Sequence, residues 1–140
     1  MADQIGRFGW RRLLNAVTAN QGVPTLVTDG VAVPNNWDGR FAMVRIRQTA
    51  TGARTATLTL YGYKGATLDE DGAAVTSSEG WVNLNESWSI SGSANTDEIP
   101  SSGGLLQGIV GFQRLYVVGA SISGTSTTIS LDVGLTEANF

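Results

Sequence analysis

Two stretches alternate between apolar and polar residues, and this period of two constrains the chain more than any other feature. In Phe41-Ala42-Met43-Val44-Arg45-Ile46-Arg47-Gln48, Ala42, Val44 and Ile46 fall on one side and Met43, Arg45 and Arg47 on the other, the pattern of a half-buried strand. Thr55-Ala56-Thr57-Leu58-Thr59-Leu60-Tyr61 alternates again beyond Gly52. Folding the two about Gly52 sets Val44 against Leu60 and Ile46 against Leu58, which predicts a hairpin.

A second pair of runs, Phe112 to Val118 and Thr127 to Val133, folds the same way about Ser123. It matches Leu115 with Leu131, Val117 with Ile129 and, on the polar side, Arg114 with Asp132. The two pairs superimpose at a constant offset of 71 residues (112 − 41). Either an internal duplication or two hairpins of similar loop length explains this, and the unmatched segments between them favour chance.

Shorter strand candidates are Thr25 to Thr28, Val31 to Val33, Gly80 to Leu84 and Ser87 to Ser91, separated by turn-forming stretches at Asp69-Glu70-Asp71-Gly72 and Ser91-Gly92-Ser93-Ala94-Asn95. Asn95 to Gly111 reads as a long excursion. Trp10 to Val17 reads as a short helix of a turn or two, or as an extended arm. The expected class is all-β: an antiparallel β-sandwich or jelly roll of about seven or eight short strands, with an N-terminal arm over 1–20 and one β-sandwich domain over 21–140.

Composition narrows the function. With 41% apolar and 15% charged residues, 140 residues suffice for a packed core. The chain has no Cys and no His, which removes thiolate chemistry, Cys-ligated metals and the commonest general base. No enzyme activity, no cofactor and no metal site is expected. Asp69, Glu70 and Asp71 offer oxygen ligands for Ca²⁺, but their spacing lacks the distal acid of an EF-hand loop, so a solvated turn is the favoured reading.

A net charge of −3 speaks against a nucleic-acid partner. The longest apolar runs are too short for a signal-peptide core or a bilayer span, so no membrane association is expected. Eight of the nine cations are Arg, with Lys64 the exception. That bias suits protein interfaces, or reflects genome composition.

The four tryptophans are the remaining signal. Trp81 and Trp88 lie in strand candidates and are assigned to the core, whereas Trp10 and Trp37 are candidates for an interface. The amino-terminal segment mixes Arg7, Arg11 and Arg12 with Phe8, Trp10, Leu13 and Leu14. Such an arm lies across a neighbouring subunit or folds back on its own sheet. The interface candidates are therefore Arg7, Phe8, Trp10, Arg11, Arg12 and Trp37.

The polar arm, the Ser/Thr/Gly-rich alternating strands and the closing run from Phe112-Gln113-Arg114-Leu115-Tyr116-Val117-Val118-Gly119 to Ser130-Leu131-Asp132-Val133-Gly134-Leu135 resemble small β-structured accessory proteins of tailed bacteriophage particles, especially capsid decoration (cement) proteins. The resemblance implies a virion structural protein, made in the host cytoplasm, that binds the major capsid protein lattice on the outside of the shell. It also implies a homo-oligomer, with a trimer favoured. The alternative is a carbohydrate-binding module or the receptor-binding tip of a fibre, with Trp37, Trp81, Tyr61 and Tyr63 as its stacking platform.

Overall fold

In the computed structural model the described residues are 7–26, 28–33, 37–49, 53–65, 68–73, 80–107, 112–124 and 127–137, with the side chains of 7–9, 37–41, 107 and 135–137 left out of the description. Among them the alternating runs become strands with their apolar sides turned inward. The elements are β1 (Arg7–Val17), β2 (Val31–Ala32), β3 (Trp37–Thr49), β4 (Arg54–Tyr63), β5 (Trp81–Gly92), β6 (Thr96–Glu98), β7 (Leu105–Gln107), β8 (Arg114–Ser123) and β9 (Thr128–Glu137). They form two antiparallel sheets, β1-β9-β3 extended by β6 and β7, and β2-β8-β4-β5. The fold is a β-sandwich. Its core joins Val44 and Ile46 of β3, Leu58 and Leu60 of β4, Trp88 of β5, Leu106 of β7, Leu115 and Val117 of β8, and Ile129, Leu131 and Val133 of β9.

Neither expected hairpin forms. β3 and β4 lie in different sheets, as do β8 and β9. Val44 pairs with Val133 and Ile46 with Leu131, while Leu58 pairs with Gly119 and Leu60 with Val117. The connections are arches that carry the chain from one sheet to the other. Alternation specifies which residues point inward but not which backbone supplies their hydrogen bonds, and an arch buries the same two apolar faces by setting them across the core. The expected Arg114–Asp132 pair is lost with the hairpin. Buried Arg54 links the sheets at one end, donating from Nε to Gln48 Oε1 at 2.6 Å and from Nη2 to the carbonyl of Ala94.

The offset of 71 residues (112 − 41) turns out to be structural. Applied to β1, β3 and β9, it carries the pairs Trp10–Gly134 and Arg12–Asp132 onto Trp81–Tyr63 and Asn83–Tyr61. It carries Val44–Val133 and Ile46–Leu131 onto Leu115–Gly62 and Val117–Leu60. Both outer strands are also bulged just past these positions, β1 beyond Arg12 and β5 beyond Asn83. Two hairpins alike by chance do not bring both sheets into one register, so the sandwich is an internal two-fold repeat whose halves exchange strands. The matching dipeptides Gly9-Trp10 and Gly80-Trp81 mark the repeat in sequence.

The amino-terminal segment takes the second of its two expected courses and folds onto its own sheet. From Arg7 to Val17 it is the edge strand β1, paired along β9 from Glu137 to Ile129. Register shifts after Arg12 and after Leu14, with Ala16 at φ 47°, interrupt its alternation. A bulged strand shows no clean period of two. The same effect splits β5 into two apparent pieces, since Asn85 sits at φ 59° inside one continuous strand. The excursion after Asn95 contributes β6 and β7, both paired to the outer edge of β3.

Candidate binding face

Residues that alternate with the core point away from it, and the two outward faces differ sharply. On the β1-β9-β3 sheet, Trp10 stands opposite Gly134, Gly134 opposite Met43, and Met43 opposite Leu105. Trp10 is 41% exposed, and Leu105 and the nearby Ile99 are also exposed. Gly134 places no side chain between Trp10 and Met43.

Charged pairs border this apolar row. Arg12 meets the Asp132 carboxylate through Nε at 2.7 Å and Nη2 at 3.1 Å. Arg45 meets Asp97 through Nε and Nη2, both at 2.7 Å, and Arg47 approaches the same carboxylate at 3.3 Å. These forked contacts fix guanidinium orientation. The hydrogen bond from Arg45 holds the Asp97 carboxyl below its ordinary range, and the reciprocal bond raises Arg45. The Arg45 guanidinium carbon lies 6.0 Å from the centroid of the Trp10 ring, at the limit of a cation–π contact. Trp10, Arg45, Asp97, Glu98 and Ile99 line an open groove of about 310 Å³.

The equivalent place on the other sheet is closed. Trp81 retains 9% exposure and Tyr63 5%. The Trp81 ring packs at 5.2 Å from Tyr63 and 6.0 Å from Tyr116. The chain's own segment before β2 covers them: Trp81 Nε1 donates to the Leu26 carbonyl at 2.9 Å and Tyr116 Oη to the Gly22 carbonyl at 3.3 Å. Arg114 donates to the carbonyls of Asp29 at 2.7 Å, Gly30 at 2.8 Å and Thr28 at 3.2 Å. The cover turns into β2 at Gly30, where φ is +73° and a Cβ would lie 2.3 Å from the Leu115 carbonyl oxygen. Only glycine suits that turn.

Of the residues expected at an interface, Trp10 and Arg12 share the open face, and Arg11 beside them is half-buried with Nη1 donating to the Trp10 carbonyl at 3.3 Å. Arg7 and Phe8 belong to the paired part of β1, opposite Glu137 and Thr136, and Trp37 begins β3 opposite Glu137; their side chains lie outside the described part. The sugar platform is corrected, because Trp81 and Tyr63 are buried under the cover and Tyr61 is half-buried. Trp88 is in the core as expected, but Trp81 is buried on the outside of its sheet. At the acidic turn, Asp69 Oδ1 accepts the amides of Asp71 and Ala73 at 2.9 and 3.0 Å.

Sequence reasoning missed Gly134, Met43, Leu105, Ile99, Arg45 and Asp97 as members of the face. Their association depends on β9 lying between β1 and β3. The repeated Gly-Trp dipeptide was the signal that linked Trp10 to Trp81. Comparison with family models, curated proteins and solved structures finds no match. Fold and face together define a class: a two-layer antiparallel sandwich with one covered and one open aromatic site.

Proposed function

We propose that this chain is a structural accessory of a virus particle, a capsid decoration module that binds the outer surface of the major capsid protein lattice as a homo-oligomer, with a trimer favoured. The observation that carries the reading is the open Trp10 face. A large indole left in solvent, framed by oriented arginines, has the composition of an interface anchor. A module binding many lattice points gains avidity from modest individual contacts. Co-sedimentation with purified shells tests it: the wild-type chain is expected to pellet with them and Trp10→Ala to pellet less, whereas recovery of both in the supernatant sinks the reading. Light scattering on the eluted chain checks the trimer.

The exposed indole beside Arg45, Asp97 and Glu98 also has the chemistry of a sugar-stacking site, which keeps the fibre-tip reading as the alternative. Glycan-array binding that disappears in Trp10→Ala, without shell binding, favours it.

A further inference from the structure

The two-fold repeat supplies a reference for the open groove, because the same position in the other half is occupied. There, the chain from Gly22 to Leu26 lies against the Trp81 and Tyr116 side chains and then turns, with the Asp29 amide donating to the Leu26 carbonyl at 3.1 Å, and its backbone carbonyls are held by the indole N–H, a tyrosine hydroxyl and a guanidinium. Its Pro24 is buried. In the second half the equivalent segment takes another course: Asp97 and its neighbours extend the sheet as β6 beside β3 and leave the tryptophan uncovered.

We infer that the Trp10 groove receives a short peptide segment of a partner polypeptide, laid over the indole as the chain from Gly22 to Leu26 is laid over Trp81. The substitutions between the two faces support an incoming segment. Gly134 stands where Tyr63 packs on the covered ring, and Arg45 stands where Tyr116 lies, so Trp10 has neither of the two aromatic neighbours that flank Trp81. Ile99 and Leu105 are exposed apolar groups nearby, matched to a proline or aliphatic side chain in the visitor. The ion pairs Arg12–Asp132 and Arg45–Asp97 leave the rim close to neutral, so the segment is held by backbone hydrogen bonds and apolar contact rather than by net charge.

The inference rests on the binding-module reading and names the kind of element that the module grips. The test is a displayed library of random linear peptides selected on the full chain, followed by titration of an enriched synthetic peptide. Enriched peptides are expected to carry proline or aliphatic residues. Trp10→Ala is expected to weaken binding by about tenfold or more, as for a central aromatic anchor. Gly134→Tyr, which copies the covered face, is expected to block binding while circular dichroism keeps the β signal, and Trp81→Phe is expected to leave it unchanged.

Three outcomes overturn the inference: no peptide that distinguishes wild type from Trp10→Ala, binding of cellohexaose at Trp10 in place of peptides, or a wild-type oligomer that Trp10→Ala converts to monomer. The shell assay separates this from the proposed function. Peptide binding lost in Trp10→Ala with shell attachment intact upholds the groove and removes it from attachment.

Discussion

Trp10 and Trp81 occupy equivalent places on equivalent strands, yet one is an exposed surface ring and the other is sealed under its own chain. The difference is not in the strands, whose pairings repeat between the halves. It lies in the connection that follows. In the first half that connection crosses the face, and in the second it runs along the sheet edge as β6. A two-fold β-sandwich can therefore bury one copy of an aromatic site and leave the other exposed through a changed loop path alone.

The largest test of this contrast is stability. Trp81→Ala removes a ring packed on Tyr63 and Tyr116 and takes the indole donor from the Leu26 carbonyl, which keeps only the Asp29 amide, so a loss of about 3–5 kcal/mol is expected in urea unfolding. Equal losses for Trp81→Ala and Trp10→Ala would break the comparison.

Arg114→Met comes next. It strips the donor from the carbonyls of Thr28, Asp29 and Gly30, and about 1–3 kcal/mol is expected in the same measurement. A red shift of tryptophan emission should accompany it as the cover over Trp81 loosens. Trp10→Ala is smaller again, within about 1 kcal/mol for a half-exposed side chain, and its thermal unfolding should nearly superimpose on that of wild type.

The smallest effect is that of pH. The Asp97 carboxyl, hydrogen-bonded by Arg45, is held below its ordinary value of 3.8. A depressed carboxylate stabilises the fold above the unfolded value and loses that contribution as pH falls through the folded one. Lowering the pH below 3.8 should therefore free Arg45 and alter Trp10 emission. Asp97→Asn should remove that component of the titration, and an unchanged profile would detach Asp97 from the open face.

Much of the fold was legible from period two alone. Val44, Ile46, Leu58, Leu60, Leu115, Val117, Ile129 and Leu131 are all buried, on the side that the alternation assigns to them. Strand β1 was not legible, because two bulges interrupt its pattern. Of the open face, Trp10 and Arg12 were legible as large or cationic groups outside any clear strand. Gly134 and Leu105 were not, since a glycine and a leucine announce nothing until β9 and β7 are placed beside β1 and β3.

The sequence, through the side-chain period of a pleated strand, determined the class and the inward set of residues. Partner choice required the folded chain. Every backbone offers the same N–H and C=O groups, so a hairpin and an arch satisfy one alternation equally well, and packing across the core selects between them. That selection exchanged the strands of the two halves, put Asp132 beside Arg12 instead of Arg114, and left one of two matched tryptophans uncovered.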